Sequence, residues 1–128
     1  MRTFRVSLLV AAAMAALAVL PGLDSGARGA EQADTPRQVV DITAERFTFT
    51  PSEVRTKAGT TLEIRLRSDD TAHGFHIVGT DVDLELPKRG KGVATVTFTP
   101  KAGRYTFECS QLCGAGHEFM RGVIVASE

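Results

Sequence analysis

The chain has 128 residues, of which 15 are basic (Lys or Arg) and 15 are acidic (Asp or Glu), so its formal net charge at pH 7 is zero. This balance, with no basic run or patch, argues against a protein that binds nucleic acid or an anionic membrane surface. A chain of this length can form one small domain with a modest hydrophobic core.

The first 29 residues have the composition of a secretory signal peptide. The basic start Met1–Arg5 is followed by the uncharged stretch Val6–Leu20. As a helix that stretch would be about 22 Å long, which is short for a hydrocarbon core of roughly 30 Å. We therefore predict that residues 1–29 are a signal peptide, that the mature chain begins between Arg28 and Glu31, and that the protein is periplasmic or otherwise extracytoplasmic. A short membrane anchor that is not cleaved is the alternative.

Beyond this segment the sequence predicts a short lead-in and one β domain. Residues 30–37 are polar and aperiodic, which predicts a flexible lead-in. In residues 38–128 the hydrophobic period is two, and turn residues separate short apolar runs. Thr61–Ser68 is the clearest strand, with Leu62, Ile64 and Leu66 on its inner face. About eight short strands with no helical period predict an all-β fold, a β-sandwich.

The stretch from Cys109 to Met120 contains both cysteines of the chain, together with a histidine and a methionine. Thiolate, imidazole and thioether ligands suit copper better than the hard cations that prefer oxygen. One cysteine, two histidines and a weakly held methionine already make a copper site for electron transfer, so Cys113, His117, Met120 and one more histidine would suffice. Cys109 is then a second thiolate, which two copper ions sharing two sulfurs would explain.

Two other interpretations of the cysteines remain open. A disulfide is plausible for an exported protein, because its surroundings are oxidising. Against it, a histidine and a methionine would rarely fall at such regular offsets by chance, since the chain has only three of each. A zinc site could use Cys109, Cys113, His117 and His73, but it would leave Met120 without a role.

The spacing Cys-x3-Cys-x3-His-x2-Met resembles the binuclear CuA loop of cytochrome c oxidase subunit II and of nitrous oxide reductase. The resemblance extends from about Val39 to the C-terminus and implies a cupredoxin-like Greek-key β-sandwich. The upstream run His73–His76 and the glutamine in the loop are more similar to some bacterial oxidases of the B type. The resemblance implies two copper ions and six ligands, which are His73, Cys109, the main-chain carbonyl of Gln111, Cys113, His117 and Met120. The family usually has glutamate where this chain has Gln111, so the magnesium site that this glutamate contacts in many oxidases is not implied here.

The same resemblance implies one-electron transfer, with no bond-making catalysis by this chain alone. The expected donor is a c-type cytochrome, and the expected acceptor is a terminal oxidase or reductase; in an oxidase, the chain would be subunit II, through which electrons reach subunit I. The chain has no tryptophan, so the aromatic residue that receives the electron in many family members is missing. A mononuclear blue-copper carrier that uses Cys113 alone and a periplasmic copper chaperone are the alternatives.

Two predictions concern the residues around His73. His76 is three residues further along an extended strand, so we expect it on the opposite face and outside the ligand set. Phe75 is expected to pack beside the site. Acidic residues near His73 in the sequence predict a surface that steers a basic cytochrome. They are Asp69, Asp70, Asp81, Asp83 and Glu85.

Overall fold

The computed structural model describes residues 34–128. The predicted signal peptide, residues 1–29, and the first four residues of the predicted lead-in lie outside the described residues. Within residues 34–128 no helix is both long enough and apolar enough to cross a membrane.

The described residues form nine β-strands and one turn of 3₁₀ helix, His117–Phe119. The prediction of an all-β fold is confirmed, with one strand more than the expected eight or so. The first strand begins at Arg37, the last residue of the predicted lead-in. The strands are β1 Arg37–Glu45, β2 Thr48–Thr50, β3 Glu53–Lys57, β4 Thr61–Ser68, β5 His73–Ile77, β6 Asp83–Leu86, β7 Ala94–Phe98, β8 Gly103–Glu108 and β9 Arg121–Ser127.

The strands pair into two sheets. One has four strands in the order β2-β1-β4-β7, and the other has five in the order β3-β9-β8-β5-β6. Strands β8 and β9 are antiparallel, with Glu108 opposite Arg121, so the loop of residues 109–120 leaves and re-enters the sheet at the same end. Strand β5 runs antiparallel to β8 with His76 opposite Glu108, which places His73, the first residue of β5, at that end as well.

The core lies between the two sheets. Leu62, Ile64 and Leu66 are fully buried, as the alternation in β4 predicts. Phe75 and Phe107 pack with Phe49, with ring centroids 5.1 to 5.9 Å apart. Phe75 therefore belongs to the core and has no surface to offer a partner. This aromatic cluster packs strand β5, which begins with His73, against strand β8, which leads into the loop of residues 109–120.

Candidate metal centre

The loop of residues 109–120 is closed at its base by the backbone. The N–H of Cys109 donates a hydrogen bond of 3.1 Å to the carbonyl oxygen of Met120. This bond extends the β8–β9 pairing by one step beyond the strands. The first and last predicted ligands of the loop are therefore fixed beside each other by the sheet itself.

The two cysteine side chains face each other inside the protein. Both are buried, and their Sγ atoms are 3.6 Å apart. A disulfide bond is about 2.05 Å long, so these are two free thiols. The thiol of Cys109 donates to the carbonyl oxygen of Gln111 at 3.0 Å. The Sγ of Cys113 lies 3.8 Å from the Sδ of Met120, which is fully buried.

Each thiol has a histidine next to it. The Nδ1 atom of His73 is 3.9 Å from Cys109 Sγ, and the Nδ1 atom of His117 is 3.9 Å from Cys113 Sγ. Donor atoms of His73, Cys109 and Cys113 all lie within 4.8 Å of one another. With Gln111 and Met120 against the same thiols, the structure brings all six residues predicted as ligands into one cluster.

The donors in this cluster fit copper better than the alternatives. Two thiols, two imidazoles and a thioether are soft or borderline donors, the class that favours copper. A tetrahedral zinc site would be complete with two cysteines and two histidines, and it would leave the buried thioether of Met120 against Cys113 without a function. The residues present therefore fit a copper centre.

His76 lies outside the cluster. Its Nδ1 atom is 3.0 Å from the carbonyl oxygen of Val82, on the chain segment that leads into β6. His73, by contrast, is fully buried against Cys109. The two imidazole rings thus contact different parts of the chain, and only the ring of His73 lies in the cluster.

Asp70 has a role that the sequence did not indicate. Its Oδ1 atom is 2.7 Å from Nε2 of His73, the ring nitrogen that faces away from Cys109. Burial alone would raise the pKa of Asp70, but hydrogen bonds from His73 and from the backbone N–H groups of Arg46 and Thr71 lower that pKa to about 2. Asp70 is therefore a carboxylate at neutral pH that fixes the orientation of the His73 ring, not a free member of a docking surface. Of the other acidic residues, Asp83 accepts a hydrogen bond of 2.6 Å from Ser110 in the ligand loop.

The loop lies on an aromatic ring from the β1–β2 connection. A Cβ atom at Gly116 would collide with the ring of Phe47, although the backbone of Gly116, with φ of −98°, is open to other residues. Gly114 has φ of +144° and also lies against Phe47, so it requires glycine for both conformation and space. Gly116 is therefore needed for close approach to Phe47, and Gly114 for both its positive φ and its close approach.

The outer side of the loop is open to solvent and partly apolar. Leu112 and Phe119 are each 81% exposed, although both lie within the ligand loop. A cleft of about 270 Å³ borders the cluster, lined by Glu108, Cys109, His117, Glu118 and Arg121. Cys109, Cys113, Met120 and His73 are thus buried, whereas His117 is half-buried and borders the cleft.

The thiol of Cys113 is protonated at neutral pH in the metal-free protein. Burial, reinforced by the hydrogen bond and the charge of Cys109, raises the pKa of Cys113 from 9.0 to about 11. Copper binds thiolates, so this proton must leave when metal enters. We expect uptake of copper at pH 7 to release at least one proton per chain and the apparent affinity to weaken as the pH falls. Calorimetry in buffers of different ionisation enthalpy measures the proton count, and Cys113→Ser should release fewer protons; copper uptake without proton release would contradict the assignment of Cys113 as a thiolate ligand.

Comparison with known proteins agrees with this geometry. The family described as a cupredoxin-like domain matches residues 8–126. Cytochrome c oxidase subunit 2 of Thermus thermophilus is 35% identical over 104 residues, which cover 80% of this chain and 75% of that protein. A second subunit 2 sequence from the same species is also 35% identical over 104 residues and is covered over 60% of its length. The chain belongs to the cupredoxin family, in its cytochrome c oxidase subunit 2 group.

Solved structures support the same placement. A heme-copper terminal oxidase dimer, determined by cryo-EM, contains a chain that is 28% identical, with a TM-score of 0.63, over 76% of this chain and 68% of that one. The periplasmic domain of subunit II of cytochrome oxidase from Bradyrhizobium japonicum has the same TM-score at 17% identity, over 70% of this chain and 83% of that one. The second likeness concerns the fold alone. Membership of this family, together with the donors in the cluster, implies copper.

Proposed function

We propose that this protein is a copper-binding electron-transfer protein with a binuclear CuA centre, which accepts electrons from a c-type cytochrome and passes them to a terminal oxidase or reductase. The observation that carries the proposal is the pair of free thiols 3.6 Å apart, each with a histidine beside it. Similarity to cytochrome c oxidase subunit 2 supports an oxidase subunit I as the acceptor. It also supports an extracytoplasmic location.

The six residues of the cluster have three kinds of role in this proposal. Cys109 and Cys113 would bridge the metal ions, His73 and His117 would each hold one of them, and Met120 and the carbonyl of Gln111 would be weaker ligands. When bound, the copper pair would supply one-electron transfer. The chain contributes a fixed geometry, because His73 is held by Asp70 and the loop base is held by the β8–β9 pairing. Ligands that cannot move keep the rearrangement between redox states small.

Two alternative functions fit the cluster less well. A mononuclear blue-copper site would use Cys113 and leave Cys109 as a buried thiol with no function, although it faces His73. A copper chaperone needs exchangeable, accessible ligands, whereas Met120 and His73 are fully buried. Both observations favour a permanent binuclear centre.

The ligand loop also supplies a surface on which a cytochrome could dock. Leu112 and Phe119 project from it into solvent, and exposed aromatic residues commonly carry much of the energy of an interface. Asp83, which is bound to Ser110 of the loop, and Glu118, which precedes Phe119, bring negative charge to the loop, although Arg121 lines the same cleft as Glu118. An apolar centre with an acidic rim would suit a basic c-type cytochrome.

Electron transfer from a reduced c-type cytochrome to the copper-loaded protein tests the proposed function. We expect Phe119→Ala to lower the second-order rate in stopped-flow measurements by roughly tenfold, because an aromatic anchor that becomes buried on docking contributes more than about 1 kcal/mol. The rate should also fall as ionic strength rises, since the acidic rim is screened beyond about 8 Å at physiological salt. Val93→Ala, at an exposed apolar residue just before β7 in the other sheet, is the matched control and should leave the rate unchanged.

Three results of this experiment would be informative in different ways. No electron transfer to the copper-loaded protein would contradict the proposed function. Equal rates for Phe119→Ala and Val93→Ala would contradict the docking surface. A rate that falls in Phe119→Ala but does not depend on salt would mean that docking is apolar and that the acidic rim has no part in it.

A further inference from the structure

Arg46, in the connection between β1 and β2, is hydrogen-bonded both to the ligand loop and to Asp70, the partner of His73. The Nε atom of Arg46 donates a hydrogen bond of 2.8 Å to the carbonyl oxygen of Cys113. The backbone N–H of the same residue donates to Oδ2 of Asp70 at 3.0 Å. The other carboxylate oxygen of Asp70 is the one that holds His73. Arg46 is therefore bonded to the ligand loop by its side chain and to the partner of His73 by its backbone.

We propose that Arg46 is a positioning residue of the copper centre, which holds the ligand loop against the segment that carries His73. The proposal rests on the copper-binding function proposed above. No sequence motif marks Arg46, and its two partners are 24 and 67 residues away.

The side chain of Arg46 contacts the ligand loop at Cys113, one of the predicted ligands. A hydrogen bond to the carbonyl of Cys113 fixes the peptide plane that follows this ligand. The carbonyl of the next residue, Gly114, accepts a hydrogen bond of 3.1 Å from the N–H of His117. Two consecutive carbonyls of the loop are thus held, the first by Arg46 and the second by the residue that carries the other imidazole. After loss of the first bond, the segment from Cys113 to His117 is held by the His117–Gly114 hydrogen bond, by the contacts of the Cys113 thiol and by the contact with Phe47, but its first carbonyl is no longer fixed.

The surroundings of Arg46 indicate that its guanidinium is not placed there for an ion pair. Most other arginines of residues 34–128 that form side-chain contacts pair with carboxylates, as Arg37 and Arg65 do with Glu63 and as Arg55 does with Glu53. Arg46 makes no side-chain ion pair within those residues, and its side-chain bond goes to a main-chain carbonyl. The Nε position also lies over Gly114, where a Cβ atom would be 3.6 Å away. A fixed N–H direction at this point is what an arginine supplies and a lysine does not.

The test compares Arg46→Met, Arg46→Lys and Arg55→Met with the wild type. Methionine keeps an unbranched apolar stem and the backbone N–H to Asp70, but it removes the bond to Cys113. Lysine keeps the charge but lacks the Nε donor. Arg55→Met, at an exposed pair on β3, is the matched control. The readouts are the rate at which each copper-loaded protein loses metal to excess chelator and, in the metal-free proteins, the hydrogen-exchange rate of the His117 amide.

Loss of a partner that orients a metal ligand typically costs about 10 to 100-fold in affinity. Because Arg46 is exposed on its outer side, we expect the low end of that range, with copper loss and His117 amide exchange each about tenfold faster in Arg46→Met. Arg46→Lys should behave like Arg46→Met, and Arg55→Met like the wild type. Unchanged exchange of the buried Ile64 amide would show that the fold is intact.

Wild-type behaviour of Arg46→Met in both readouts would overturn the inference. So would wild-type behaviour of Arg46→Lys, because the fixed N–H direction of the guanidinium would then not be what holds the loop. Faster exchange at Ile64 in step with His117 would also overturn it, since Arg46 would then stabilise the fold as a whole and not the loop. A wild-type protein that takes up no copper would refute the proposed function, and the His117 exchange in metal-free protein would still decide whether Arg46 positions the loop.

Discussion

Cys109→Ser should reduce the copper content from two ions per chain to one or none and should abolish the absorption that two thiolates give to copper. The reason is that a serine hydroxyl is a hard donor, which does not replace a bridging thiolate on copper. Cys113→Ser should do the same, because the two Sγ atoms are equivalent in their burial and each has its own histidine. Copper content by elemental analysis and the visible spectrum measure both effects.

The control for this pair is Ser110→Ala. Ser110 lies between the cysteines in the same loop, but its hydroxyl donates outward to Asp83, so this variant should keep two copper ions. Loss of one exposed hydrogen bond costs about 0.5–1.5 kcal/mol, which the sandwich should tolerate, and circular dichroism would verify the fold. A wild-type protein that binds one copper ion, and whose copper content and blue colour both survive Cys109→Ser, would contradict the shared pair of thiolates and favour the mononuclear site of Cys113.

His73→Ala should disturb the copper spectrum and weaken copper binding by more than the roughly 10 to 100-fold that follows loss of a residue that only orients a ligand. His73 is fully buried with one ring nitrogen 3.9 Å from Cys109 Sγ, and its removal also leaves Asp70 without its imidazole partner. His76→Ala should leave copper content and spectrum unchanged, because the ring of His76 bonds only to the backbone of Val82 among the described residues.

These two substitutions are each other's control, since they differ by three positions on one strand and remove the same group. A spectrum that is lost in His76→Ala and kept in His73→Ala would mean that the ligand assignment on β5 is wrong. Equal and large effects in both would mean that the substitutions act through the strand itself, in which case thermal unfolding of the metal-free proteins should show matching losses.

The parts of this site that the sequence predicts are those with local spacing. The cysteines, His117 and Met120 lie within twelve residues, and their order follows from a loop that begins and ends on neighbouring strands. The inner face of β4 is predictable for the same reason, because alternation of Leu62, Ile64 and Leu66 is a property of the strand alone.

The parts that the sequence does not predict depend on contacts between distant segments. Acidic residues are usually solvated, so the sequence places Asp70 on a docking surface, and only the folded strand ends bring its carboxylate to His73. Arg46 reaches Cys113 across 67 residues, and Phe47 explains Gly116 in the same way. Such residues have ordinary types and no fixed offset from the ligands, so no pattern in one sequence reveals them.

The most direct test of the binuclear assignment is electron paramagnetic resonance of the copper-loaded protein, combined with copper and protein quantification on the same sample. The pair of facing thiols, each with its own histidine, predicts two copper ions per chain and a spectrum in which one unpaired electron is spread over both nuclei. A four-line spectrum with one copper ion per chain would contradict the binuclear centre and establish a mononuclear copper site.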